Sequence, residues 1–222
     1  MKKLFVILGV LLVTISCRKA LAVPEGLNFY FENPQPINDS ELSKFPNRFI
    51  GEYMNSDSIY IRINENIILS ESYTRFRFHK TDMDSLKQEF DYTYGNYILK
   101  IDNQVYLPKR IGDSIELTTQ YVDTIFMFSK AQKAKLLHGQ LVLNTKDSIF
   151  WKLRILKLEK NKLTLKHLYS EEDVKRMDSI TKIKSTMLDS SSFIIKPSRR
   201  EFIKFLKLKS FGYDQEFEKK TN

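Results

Sequence analysis

The chain has one cysteine, seven glycines and three histidines in 222 residues, and each scarcity closes off a class of chemistry. With Cys17 alone no internal disulfide can form, so apolar packing must hold any fold. His79, His138 and His167 lie far apart, and there is neither an HExxH run nor a His-x-His pair to gather a metal ion. The glycines are scattered singly, which excludes a glycine-rich phosphate loop, and no Gly-x-Ser-x-Gly turn presents a serine nucleophile. Carboxylate pairs such as Asp82/Asp84 and Glu171/Glu172 sit in polar stretches, where nothing raises a pKa as a general acid requires. The sequence therefore points away from an enzyme and toward no metal and no cofactor. After the N-terminal segment, no apolar run approaches the roughly 20 residues that cross a bilayer as a helix.

What is present begins with Met1-Lys2-Lys3 and an apolar run from Leu4 to Ile15, ended by Cys17-Arg18-Lys19. A charged head before about a dozen apolar residues is the pattern of an export signal, here residues 1–16. Two cuts are open. One falls before Cys17; the other follows Ala20-Leu21-Ala22, a small-x-small site separated from the apolar core by Arg18 and Lys19. A lone thiol has no visible use in an exported protein, which favours the first cut and Cys17 as a lipid attachment point.

Thr14-Ile15-Ser16-Cys17 resembles the lipobox of bacterial lipoproteins, with Thr14 where the motif usually has Leu. The resemblance implies acyl chains of the palmitate kind on Cys17, several of them, since one chain alone binds a membrane only marginally. The wider chain resembles the small lipoproteins of Bacteroidota in its Ser-Cys followed by a basic pair and its Lys-, Asn-, Ile- and Tyr-rich composition. In that group acidic residues after the Cys accompany surface display. Arg18, Lys19 and Ala20 here imply an outer-membrane protein of the cell envelope that faces the periplasm. Residues 17–48 then read as a tether that gradually docks. Asn33-Pro34-Gln35-Pro36 cannot continue a helix or a central strand, Asp39-Ser40-Glu41-Leu42 suits one short helical turn, and Phe29, Tyr30 and Phe31 suit packing on the body.

Residues 49–222 read as a single β-rich domain. From Phe49 to about Leu168 the apolar period is two, as in Ile59, Ile61 and Ile63, or Leu163 and Leu165. Turn signals at Asn64-Glu65-Asn66, Gly95-Asn96, Gly112-Asp113, His138-Gly139 and Lys160-Asn161-Lys162 divide it. The expectation is a mainly β, antiparallel meander of about nine or ten strands, closed as a barrel or stacked as a sandwich, with two C-terminal helices. A recurring Asp-Ser-Ile or Asp-Thr-Ile at Asp57, Asp113, Asp123 and Asp147 reads as turn chemistry, because nothing in the spacing gathers those oxygens for Ca²⁺. Residues 82–90 suit a short helix or a long loop. Ser170 before Glu171-Glu172-Asp173 caps a first C-terminal helix with a stripe of Val174, Met177, Ile180 and Ile183. Residues 191–195 read as a final short strand. Ser198 and Glu201 have capping-box spacing for a second helix, expected to end near Gly212, with the residues beyond it frayed.

Charge and aromatics offer two binding readings. The chain is formally +9, and from Lys130 to Tyr169 ten Lys/Arg face only Asp147 and Glu159. A hairpin over residues 151–168 would carry Lys152, Arg154, Lys157, Lys160, Lys162 and Lys166 on its outer face. That face suits an anionic surface or an envelope protein partner; the alternative is a solvated face whose lysines discourage edge aggregation. Nucleic acid is not expected, since no stacking motif accompanies the lysines. Gly51-Glu52-Tyr53 resembles the Gly-x-Trp opening of lipocalin-like barrels, with Tyr53 in place of Trp. The resemblance implies a carrier of a small apolar ligand, its cavity lined by Tyr53, Phe76, Phe78, Tyr97, Leu99, Phe126, Phe128 and Trp151; the alternative is that these side chains fill the interior.

Overall fold

A computed structural model describes residues 26–208 and 211–220. Cys17 and the export segment lie outside the described residues. The chain is mainly β. In order it forms β1 (Asn28–Phe31), β2 (Gly51–Met54), β3 (Tyr60–Ile63), β4 (Ile67–His79), α1 (Met83–Glu89), β5 (Phe90–Thr93), β6 (Asn96–Leu99), β7 (Val105–Ile111), β8 (Ser114–Met127) and β9 (Gln132–Leu137). It continues with β10 (Gln140–Asp147), β11 (Phe150–Glu159), β12 (Lys162–His167), α2 (Glu171–Ile180), β13 (Thr186–Asp189), β14 (Ser192–Ile195), α3 (Arg199–Leu206) and β15 (Tyr213–Lys219). The strands exceed the nine or ten expected, and the sheet is not closed into a barrel. The surplus arises partly where the sequence suggested a tether and a frayed tail, at β1 and β15.

The chain divides into two compact units. The smaller is Glu71–Asp123, inserted into the larger through β4 and β8. Its strands β8, β7, β6 and β5 are neighbours in that order, all antiparallel. Its core is Leu86, Phe90, Leu99, Tyr106 and Leu117, with Phe76, Phe78 and Tyr97 packed against it. Leu86 explains why residues 83–89 are helical: its buried side chain anchors an otherwise polar turn of helix.

In the larger unit β11 is the organising strand. It pairs antiparallel with β10 over its first eight residues and with β12 over its second half, and meets β1 at Phe31 opposite Trp151. Trp151, Leu153, Ile155, Leu163 and Leu165 are all buried, but on two faces: Leu165 is opposite Leu156 and Lys166 opposite Ile155, so both faces of this hairpin are packed. Helices α2 and α3 supply Val174, Met177, Phe202 and Phe205 to a core that also holds Phe29, Phe31 and Trp151. Both helices begin with a capping box, Ser170 with Asp173 and Ser198 with Glu201. α2 stops at Ile180, so Ile183 falls outside the helical stripe and is exposed; α3 stops at Leu206, short of Gly212.

Residues 28–48 are built into this unit. β1 runs parallel to β14, and Phe45 is fully buried. The buried Asn144 amide accepts from Gln35 N at 2.6 Å and donates to Gln35 O at 2.8 Å. The buried Lys135 ammonium donates to the carbonyls of Pro34 and Pro36 at 3.2 and 2.8 Å. No helical turn forms at residues 39–42; Glu41 instead bridges Lys135 of β9 as an added antiparallel residue. The tail is a strand because its pattern is also period two. Phe217 points inward and is fully buried, while Asp214 and Glu216 point toward the lysines of β12. β15 lies between β12 and β2.

Candidate functional site

The eight side chains proposed to line a cavity fall four into each unit, and five of them pack against other rings. In the smaller unit Phe76 lies 5.6 Å from Tyr106, Phe78 6.1 Å from Phe90, and Tyr97 6.4 Å from Phe90, with Leu99 buried beside them. In the larger unit Phe126 and Phe128 close a triangle with Phe45 at 5.6, 4.7 and 5.2 Å between centroids. Trp151 lies in the helix-covered core. Tyr53 is fully buried, its hydroxyl donates to the Phe49 carbonyl at 2.9 Å, and burial pushes its pKa up to about 12. Such edge-to-face and tilted ring pairs are core packing.

The six basic residues do not form one outer face: Ile155 opposite Lys166 and Leu156 opposite Leu165 put Lys157, Lys162 and Lys166 on one side of the sheet and Lys152 and Arg154 on the other. Most are answered by acids. Lys162 pairs with Glu216 at 2.7 Å, Lys157 with Glu159 at 2.8 Å, and Lys166 with Asp214 at 2.6 Å. Lys166 also donates to the Phe211 carbonyl and lies over that ring. Lys160 occupies the left-handed turn position, with φ of 53°. Two of the six do something else. Lys152 pairs with Asp147 at 2.9 Å, and Arg154 makes no ion pair among the described residues.

Lys152 and Arg154 both line a half-open recess of about 610 Å³ in the larger unit, at the start of β1, the ends of β10 and β12, and the beginning of β11. The volume falls within the range of small-molecule sites, roughly 300–1,000 Å³. Leu27, Phe29, Ile125 and Leu168 give it apolar wall. At one side Asp147 accepts from Lys152 and from the Tyr30 hydroxyl at 3.2 Å. The Lys152 hydrogen bond holds the Asp147 carboxyl below the usual aspartate value. Burial works against the Lys152 charge, but Asp147 and Tyr30 outweigh it, so the ammonium is held above the usual lysine value. This pair is internally neutral.

Arg154 is different. The alternation of β11 places it on the face of Leu156 and Leu165, which is packed rather than solvated, so it is only partly exposed, and burial lowers its pKa. Its opposite residue on β10 is Leu143, which is buried and offers no acceptor. Its one hydrogen bond runs from Nη1 to the Ile125 carbonyl at 3.3 Å. An arginine stays charged under all ordinary conditions, so the recess holds a standing positive charge. The β11–β12 ladder ends at Ile155 opposite Lys166, and the next residues along, Arg154 and His167, both line the recess. His167 is 6% exposed, and its Nε2 has no hydrogen-bond partner among the described residues. Burial, and then the nearby Arg154 charge, push its pKa down to about 4, with a polar contact to Gln215 opposing in part.

The sequence suggests for Arg154 an outer basic face, open to an anionic partner or to solvent, and gives His167 no role beside the other histidines. A signal for His167 was present: Leu163, Leu165 and His167 share one period-two face, so the ring had to point inward with the leucines. Nothing local marks Arg154, because its surroundings come from β1, β8 and β12. Among the described residues no three His, Cys, Asp or Glu side chains converge as metal ligands. The recess joins a cation, a neutral imidazole and apolar wall, a set of groups suited to binding. No family model, curated protein or solved structure matches the chain.

Proposed function

We propose that the chain is an envelope lipoprotein, held at the periplasmic face of the outer membrane by acyl chains on Cys17, whose body is a non-enzymatic binding module using the recess at Arg154. The observation that carries the binding reading is the largely buried Arg154 guanidinium, which no carboxylate of the described chain neutralises. A desolvated charge without a partner is costly, and a bound group that pairs with it removes that cost. The mooring is supported by the Lys2-Lys3 head, the short apolar core and the single Cys17 directly after it.

Two measurements on the full chain test the two halves. Mass spectrometry of the N-terminal peptide should find acyl mass on Cys17, and Cys17→Ser should move the protein from the membrane to the soluble fraction. A mature chain beginning at Val23 without acyl mass removes the mooring. For the module, a photoreactive residue in place of Lys146, at the rim of the recess, should give a discrete adduct in intact envelopes. The same group in place of Lys160, in the β11–β12 turn, should not. Equal adducts from both positions sink the recess as the binding site.

A further inference from the structure

We propose that the recess takes a small organic monocarboxylate, with the carboxylate on the Arg154 guanidinium and an apolar body against Leu27, Phe29 and Leu168. The inference rests on the reading of this recess as the binding site and adds the class of ligand.

Charge decides first. Arg154 is the one desolvated charge of the recess left without a counter-ion among the described residues, since Lys152 and Asp147 neutralise each other at 2.9 Å. Lys146 at the rim is exposed, so solvent screens it. A cationic ligand would face Arg154 at short range. A neutral ligand, such as a sugar, would bury the guanidinium further and leave it unneutralised. A dianion such as phosphate would bring a second charge next to the Asp147 carboxylate, with only the solvent-screened Lys146 at the rim to meet it. A monoanion matches the site one for one.

Geometry decides next. The guanidinium spends one hydrogen bond on the Ile125 carbonyl and keeps the rest of its planar fork, whose spacing fits the two oxygens of a carboxylate. His167 beside it is neutral above about pH 4, so it adds a polar group without adding charge. Its Nε2 is a buried nitrogen with no partner among the described residues, a second polar vacancy at the same wall. Apolar wall from three elements favours a ligand with a ring or branched chain over acetate-like ions.

The test uses full-length protein in detergent and three probes: 4-azidobenzoate, its neutral counterpart 4-azidobenzamide, and inorganic phosphate. On illumination the benzoate should label peptides carrying residues 150–156 or 167–169. Labelling by the amide should be about ten- to a hundredfold weaker, the worth of a charge-assisted hydrogen bond. Arg154→Met, which keeps the length of the stem, should bring benzoate labelling down to the amide's level, with circular dichroism showing the fold retained. The comparison of benzoate with amide in the unaltered protein needs no variant, so a poorly folding Arg154→Met leaves the inference testable. Competition by phosphate at equal concentration should be negligible. Equal labelling by amide and benzoate, or full competition by phosphate, overturns the ligand class while leaving the recess as a site. Labelling by neither probe within the recess overturns the site itself.

Discussion

Asp173 joins three parts of the chain through one carboxylate. It accepts from Tyr169 N at 3.2 Å, Ser170 N at 3.1 Å and Ser170 Oγ at 2.9 Å, which caps α2, and from Gly212 N at 2.6 Å, which fixes the entry to β15. The side chain is 2% exposed, so truncation leaves buried donors unanswered. Asp173→Ala should cost about 2–3 kcal/mol in urea denaturation, more than loss of a simple cap. Gly212 is needed for the same junction: its φ is 69°, and an added Cβ would stand 2.6 Å from the His167 carbonyl oxygen. His167 itself makes stability depend on pH. Its folded pKa, about 4, is below the ordinary 6.5, so between these values the unfolded chain takes up a proton that the folded chain refuses. The contribution is complete above about pH 6.5 and is lost as pH falls, by up to about 3 kcal/mol near pH 4. Urea midpoints at pH 7 and pH 5 should differ more in the wild type than in His167→Gln; equal differences would show that other groups carry the effect.

At the scale of elements, β15 is the strand most at odds with its sequence. Asp214, Glu216, Glu218, Lys219 and Lys220 look like a solvated tail, because charge usually marks exposure. Yet Gln215 and Phe217 alternate with those acids, and the acids find Lys162 and Lys166 across the ladder. Phe217→Ala should therefore cost about 3–5 kcal/mol, a core value that a frayed tail would never show. The strands between Phe49 and Leu168 were legible, since Ile59, Ile61, Ile63 and the leucines of β11 and β12 repeat every second residue. Both C-terminal helices were legible from Ser170 and Ser198. β1 was not, because Asn28–Phe31 is too short for a period to declare itself, and its partners Phe193 and Trp151 are more than a hundred residues away. The recess was illegible for the same reason: its walls come from four separated stretches.

On the scale of the molecule, the Glu71–Asp123 unit enters and leaves the larger one through two long strands and draws all of its core from its own residues. Replacing residues 72–119 by an Asn-Gly turn should leave a chain that still unfolds cooperatively and still labels at the Arg154 recess, read by circular dichroism melting and the azidobenzoate probe. Loss of cooperativity would show that the inserted unit is needed to complete the larger one. The ends of the chain behave in the opposite way. Asn28 pairs with Ser192, and Tyr53 pairs with Lys219. A polypeptide is synthesised N-terminus first. The first strands to emerge must therefore wait for nearly the last ones, holding Phe29, Phe31 and Tyr53 uncovered in the meantime. The sheet is therefore knit together late, when β14 and β15 reach the strands that were made first.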